Sequence, residues 1–218
     1  MPADLAAKLR LSEIFHSLQG ESSRVGLPTV FVRLTGCPLR CRWCDTAHAF
    51  SGGETTTVAA VLARVAEFAC PTVCVTGGEP LAQKPCLDLL TALCDAGYAV
   101  SLETSGALDI AAVDRRVARI VDLKAPGSGE VEKNLWSNLE HLKHGDELKL
   151  VLASRADYDW AVARLEQHRL AERCAVLFSP VQGELAPADL AGWIIADRLP
   201  VRFQLQLHKI LWGDERGR

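Results

Sequence analysis

Residues 28–46 read PTVFVRLTGCPLRCRWCDT. The segment opens with an apolar, β-branched run at 29–34 and passes directly into Cys37, Cys41 and Cys44, a C-x3-C-x2-C array. β-Branched and aromatic residues in a short run favour a strand. Thiols this close in sequence fold one loop around one metal centre. The segment therefore predicts a strand that delivers a metal-binding loop at its carboxyl end.

Outward from this stretch, apolar β-rich runs recur at 72–75, 99–102, 119–123, 148–152, 175–178 and 201–207. Segments with helical spacing lie between them, at 57–69, 85–96, 158–167 and 187–196. Continuous apolarity at 73–75 and 176–178 fits strands covered on both faces. The alternation predicts a parallel α/β sheet. Strand after strand ends in a polar or glycine-rich motif: RLTGC, VTGGEP, LETSG, DLKAP, FSPVQG and QLQLHK, with Lys149 inside its strand in ELKLVLA. Parallel β/α folds bind ligands at the carboxyl ends of their strands. Turn punctuation alone would explain the Gly and Pro residues, but not Glu79, Glu103, Asp122 and Lys124. The 218 residues suffice for one domain spanning 1–218, and fall short of the ~250 typical of a closed eight-unit barrel. The expected fold is α/β, an incomplete (β/α) barrel of about six units with an open side for substrate. The sheet edge left by the missing units points to a homodimer.

Composition narrows the partners. A net charge of −3, without a basic run, speaks against a strong grip on nucleic acid. No apolar stretch reaches transmembrane length, and MPADLAAKLRLSEIF lacks the apolar core of a signal peptide, so a cytoplasmic location without membrane association is expected. In a reducing compartment the eight cysteines are not disulfides. Cys70, Cys74, Cys86, Cys94 and Cys174 stand in apolar contexts and read as core. Residues 213–218, GDERGR, read as a charged, mobile tail without an assigned role.

Three readings of the cysteine array compete. Structural zinc wants four ligands, and His48 could complete C-x3-C-x2-C-x3-H, although no second Cys pair follows at the usual distance. The thiols could also be incidental, but three within eight residues argue against chance. The third reading is a [4Fe–4S] cubane, in which three thiolates leave one iron open. An open iron can chelate an amine and a carboxylate, and S-adenosylmethionine offers both. Reductive cleavage of its C–S bond would release methionine and a 5′-deoxyadenosyl radical that takes hydrogen from substrate.

C-x3-C-x2-C with Trp43 before the last Cys resembles the signature of radical S-adenosylmethionine enzymes, and Gly77-Gly78-Glu79-Pro80 resembles that superfamily's glycine-rich strand end. EIFHSLQGE, PTVFVRLTGCPLRCRWCDT, VTGGEPL, ETSG, DLKAPGSGE, ELKLV, FSPV and QLQLHKILW resemble segments of the 7-carboxy-7-deazaguanine synthases, nearly end to end. SLQGE and QLHK are the family-specific parts.

The resemblance implies conversion of 6-carboxy-5,6,7,8-tetrahydropterin to 7-carboxy-7-deazaguanine with loss of ammonia, on the route to queuosine. Magnesium would assist, and a one-electron donor such as flavodoxin or ferredoxin would reduce the cluster. It also implies residue roles. Cys37, Cys41 and Cys44 would bind the cluster, and Thr46 would offer its hydroxyl to Mg²⁺. Leu18, Gln19, Gly20 and Thr76 would face the pterin. Arg33 would pair with the substrate carboxylate through its planar fork. Gly78 would let backbone approach S-adenosylmethionine. Asp122, Leu123, Lys124, Ser179, Pro180, Val181 and Gln182 would hold that cofactor. Blander readings stand beside these: an ordinary ion pair for Arg33, a turn for SLQGE, and a structural histidine for His208, which is expected near the end of the last strand. Glu103 and Ser105 are neighbours without a firm role. A glycyl-radical activating enzyme is the nearest rival, but Asp45-Thr46 stands where such enzymes commonly carry Asn, and SLQGE and QLHK have no place in it. A zinc-binding interaction module leaves the strand-end carboxylates and lysine unexplained.

Overall fold

A computed structural model describes residues 2–213 and 215–217. In chain order the strands and helices are β1 (Lys8–Leu18), β2 (Pro28–Leu34), β3 (Glu54–Thr57), α1 (Val58–Ala66), β4 (Thr72–Gly77), α2 (Cys86–Asp95), β5 (Ala99–Thr104), β6 (Ala118–Asp122), β7 (Glu147–Leu152), α3 (Arg155–Gln167), β8 (Ala175–Pro180), α4 (Pro187–Ala196), β9 (Arg202–Phe203) and α5 (Leu207–Trp212). They form one sheet in the order β3-β1-β2-β4-β5-β6-β7-β8-β9. From β2 to β9 neighbouring strands pair in parallel, whereas β1 is antiparallel to both β2 and β3. The result is the expected α/β fold with a parallel-rich sheet that is not closed.

Strand periodicity explains how this sheet makes a site. Successive side chains point to opposite faces. One set, including Val30, Val32, Val73, Val75, Val100, Leu102, Leu148, Leu150, Val176 and Phe178, joins helix residues such as Val61, Leu89, Leu93, Ala161 and Leu190 in the buried core. The alternate set points inward, and there Phe31, Arg33, Thr76, Glu103, Asp122, Lys149 and Val151 line a cavity. The helices begin where local chemistry favours them. Thr57 and Ser154 accept hydrogen bonds from the Ala60 and Asp157 N–H groups as N-caps of α1 and α3, and Pro187 opens α4.

The structure corrects several expectations. β1 and β3 were not among the expected strands, although the alternation Leu9, Leu11 in β1 carries period two. The last expected strand, 201–207, shrinks to Arg202–Phe203. Its end turns into α5 because the Leu207 N–H leaves the ladder and donates to the Gly20 carbonyl at 2.9 Å. His208 therefore stands on a helix. The connection after β5 contains no helix, and that after β6 contains only short 3-10 turns, at Pro126–Ser128, Val131–Lys133 and Trp136–Glu140. Cys70, Cys74 and Cys86 are buried, and Cys94 and Cys174 pack against the core half-buried. Among the described residues no helix is long and apolar enough to cross a membrane. Asp214 and Arg218 of the tail lie outside the described residues.

Candidate active site

The inner face of the sheet and the loops at its carboxyl end enclose a cavity of about 710 Å³. Cys37, Cys41 and Cys44 line it, half-buried and free. Their loop is held from several sides. The Gly36 N–H donates to the Ala49 carbonyl at 2.7 Å, and the Arg42 N–H to Ser128 at 3.0 Å. The Arg40 N–H donates to Glu130, and the Arg42 guanidinium forks onto Glu184 at 3.0 and 2.6 Å. The GSGE end of the DLKAPGSGE motif, through Gly127, Ser128 and Glu130, thus braces the cysteine loop. Burial pushes the Cys37 and Cys41 thiols up. Glu79 raises Cys37 further, Asp122 and the neighbouring thiols raise Cys41, and Lys124 pulls both the other way.

Gly78 lies against this loop. A Cβ on it would stand 2.3 Å from the Gly36 oxygen and 2.8 Å from the Cys37 Cβ. No side chain fits, so backbone alone forms that wall. Glu79 itself is fully buried and is not among the residues that line the cavity. It accepts from the Thr104 hydroxyl, the Leu81 N–H, and the N–H and hydroxyl of Ser105. It ties the ends of β4 and β5 together, a role that turn formation alone would not require.

The SLQGE loop forms the opposite wall. Gln19 is buried, with its Nε2 donating to Glu103 at 3.2 Å and its Oε1 accepting from the Glu21 N–H. Glu103 also accepts from the Thr76 hydroxyl at 2.9 Å. A Cβ on Gly20 would meet His208 Nδ1 at 2.1 Å, so the bare backbone of the loop packs directly against the His208 side chain of α5. Arg33 donates through Nε to Glu13 at 2.7 Å, and His48 Nε2 stands 3.5 Å from the same carboxylate oxygen. Thr46 donates its hydroxyl to Asp45 at 2.9 Å, and Lys209 Nζ of α5 lies 3.1 Å from the other Asp45 oxygen. Burial alone would raise the Asp45 carboxyl. Lys209 and the Thr46 hydroxyl outweigh it and bring it to about 2. Deeper in, Lys149 contacts Glu21 and Asp122, and Lys124 contacts Asp122.

All of the expected metal and substrate positions, Cys37, Cys41, Cys44, Thr46, Leu18, Gln19, Gly20, Arg33 and Thr76, border this one cavity. Of the expected cofactor positions, Gly78, Asp122, Lys124, Val181 and Gln182 border it, and Leu123 borders a small adjoining pocket. Ser179 and Pro180 are buried outside the lining, and the Ser179 hydroxyl has no hydrogen-bond partner among the described residues. Sequence reasoning gave no role to Glu13, Glu21, Asp45, Gln206 and Lys209, which border the cavity too. Gly213, Glu215, Arg216 and Gly217 of the tail also border it. Glu21 closes the SLQGE motif and Asp45 sits inside CDT, so position within a motif was the signal available for them.

Residues 31–126 match the family model described as the radical SAM superfamily. The 7-carboxy-7-deazaguanine synthase of Chlorobaculum tepidum is 48% identical, covering 97% of this chain and 98% of its own length. That of Koribacter versatilis is 41% identical, over 95% of this chain and 98% of its own. The crystal structure of QueE from Escherichia coli shares the fold, with a TM-score of 0.77 and 24% identity over 92% of this chain and 95% of that one. By this full-length similarity the chain belongs to the 7-carboxy-7-deazaguanine synthase family of radical S-adenosylmethionine enzymes.

Proposed function

We propose that this chain, acting as one radical S-adenosylmethionine domain over residues 1–218, converts 6-carboxy-5,6,7,8-tetrahydropterin to 7-carboxy-7-deazaguanine with loss of ammonia. The observation that carries the reading is that one cavity brings together three thiols, the bare backbone of Gly78 and the polar row of Gln19, Arg33, Thr76 and Glu103.

The donor set fits the cofactors. Cys37, Cys41 and Cys44 offer three thiolates from one braced loop, the number that leaves one iron of a cubane open. Gly78 provides a wall that any side chain would fill. A [4Fe–4S] cluster and S-adenosylmethionine, when bound, supply the electron and the 5′-deoxyadenosyl radical that opens the reaction on substrate carbon.

The chain's own residues bind and orient. Arg33 has its Nε engaged by Glu13, which sets the plane of the guanidinium and leaves its terminal nitrogens for the substrate carboxylate. Glu103 accepts from donors on the pterin edge, with Gln19 and Thr76 holding it in place. The proton of the Thr46 hydroxyl is engaged by Asp45, so its oxygen remains an acceptor for Mg²⁺, a hard cation that prefers oxygen. Asp122, Leu123, Lys124, Val181 and Gln182, which border the cavity or its adjoining pocket, hold S-adenosylmethionine. The protein works in the cytoplasm, where its eight free cysteines stay reduced, with a one-electron donor of the flavodoxin or ferredoxin kind. It acts as a homodimer. Phe203, Leu205, Ile210 and Leu211, exposed on and beyond the unpaired β9 edge, support that reading.

The test is anaerobic reconstitution with iron and sulfide, followed by dithionite, S-adenosylmethionine, Mg²⁺ and the pterin. Mass spectrometry should show 7-carboxy-7-deazaguanine. A fully loaded cluster that yields 5′-deoxyadenosine and no deazapurine would overturn the substrate assignment.

A further inference from the structure

Lys149 projects from the middle of β7 into the cavity and is only 8% exposed. Taking an ammonium out of water costs several kcal/mol unless charge and hydrogen bonds compensate. Two carboxylates do so here. Glu21 accepts through Oε2, and Asp122 Oδ1 stands 3.3 Å away. They come from distant parts of the chain. Glu21 closes the SLQGE loop, 128 residues before Lys149, whereas Asp122 ends β6 in direct register with Lys149. Each carboxylate is also held by its second oxygen. Glu21 Oε1 takes the Gln206 amide at 2.6 Å, and Asp122 Oδ2 takes Lys124 Nζ. The third acid facing the ammonium is Glu103 of β5, itself held by Gln19 and Thr76. From β8 the register partner of Lys149 is Leu177, which adds no charge. Burial alone would lower the Lys149 pKa, and Asp122, Glu21 and Glu103 reverse that, so the group stays protonated.

This arrangement makes Lys149 a direct side-chain bridge from the 18–21 loop to the strand end at 122–124, deeper than the contacts of Ser23 with Glu147 and of Gln19 with Glu103 that tie the same loop to β7 and β5. The wall at 18–21 is the one the proposed function gives to the pterin, and the strand end at 122–124 is the one it gives to S-adenosylmethionine. We propose that Lys149 is a positioning residue that locks the substrate-side loop, through Glu21, to the cofactor-side strand end, through Asp122, and so sets the separation of the two bound molecules. The proposal rests on that reading of the cavity. Hydrogen transfer between two separately bound molecules depends steeply on that separation. Loosening the link should therefore leave S-adenosylmethionine cleavage running while product formation falls behind.

The experiment uses reconstituted wild type, Lys149→Met, Glu21→Gln and the double variant, and reads the ratio of 5′-deoxyadenosine to 7-carboxy-7-deazaguanine. Lys149→Met should raise this ratio about tenfold or more, the scale of effect that a misplacement of order one ångström produces. Glu21→Gln should raise it less. The double variant should be no worse than Lys149→Met, because both changes break one contact and their effects cannot add. A merely structural lysine would lower cluster loading and melting temperature and leave the ratio alone. A wild-type ratio in Lys149→Met, or effects that multiply in the double variant, would overturn the proposal. If Lys149→Met does not load a cluster, the double variant, which loses one charge of each sign, carries the test. A raised ratio there supports the link and a wild-type ratio overturns it. Wild type that cleaves S-adenosylmethionine without making product would instead overturn the reading of the cavity, whatever the variants do.

Discussion

The side-chain amide of Gln204 pairs with the backbone of Ser22 in both directions: the Ser22 N–H donates to Gln204 Oε1 at 2.7 Å, and Gln204 Nε2 donates to the Ser22 carbonyl at 2.7 Å. Both residues are buried and lie 182 positions apart. With Gln206 on Glu21 and the Leu207 N–H on Gly20, this pairing clasps the C-terminal segment onto the SLQGE loop across the open side of the sheet.

Gln204→Ala should leave the Ser22 N–H and carbonyl buried without partners, at ~1–3 kcal/mol for each unsatisfied group. Thermal unfolding should show the loss of stability. Because the same loop borders the proposed pterin site, KM for the pterin should rise more than KM for S-adenosylmethionine. Equal changes in the two constants would contradict a local role for the clasp.

Gly78→Ala should force the cysteine loop outward, since the new methyl would overlap the Gly36 carbonyl and the Cys37 Cβ. Overpacking of this kind costs ~1–3 kcal/mol. The expected readout is a lower iron content per chain after identical reconstitution, with far-UV circular dichroism unchanged. Normal iron loading with normal turnover would show that the backbone there has room to give.

Thr46→Val keeps the shape of the side chain and removes the oxygen offered to Mg²⁺. The Mg²⁺ concentration for half-maximal product formation should rise by about tenfold or more, the scale seen when even outer-shell partners of a metal are removed. A titration of activity against Mg²⁺ checks this, and an unchanged midpoint would free Thr46 from that role.

Asp146 is fully buried beside Arg119, which donates to it through Nε at 2.9 Å, and beside Lys143. Burial raises the Asp146 carboxyl, but Arg119 and Lys143 outweigh it and hold it below its ordinary value. Asp146→Ala should destabilise the chain by ~3–5 kcal/mol by stranding a buried guanidinium. A carboxyl lowered on folding contributes stability above its unfolded pKa and loses it as pH falls through the folded one. The difference between wild type and variant in urea unfolding should therefore be flat from about pH 5 to 8 and shrink only below about pH 4. A difference that vanishes near neutrality would contradict the pairing.

Much of the fold was legible because parallel strands write themselves locally. The runs at 29–34, 72–75 and 175–178 are apolar and β-branched, and each appears as a strand within a few residues of its expected limits. β1 was missed although it alternates, because its charged residues disguised a strand that is solvated on part of one face. The strand expected at 201–207 was cut short by a contact no local pattern contains, the bond from Leu207 to Gly20.

For the site, the division follows sequence distance. The thiol spacing, the bare glycine and the CDT and SLQGE motifs are short-range features, and by themselves they determined the family, the cofactor class and the face of the sheet that carries chemistry. The tertiary structure alone decided what each charged group faces. Glu79 binds Thr104 and Ser105, Lys149 reaches Glu21 and Asp122, Lys209 reaches Asp45, and Gln204 reaches Ser22. A side chain in a strand can point to only two faces, so periodicity determines which residues point inward. Which inward residues then meet depends on strand order, register and the path of the loops, and those are set by burial of the whole core rather than by any one segment.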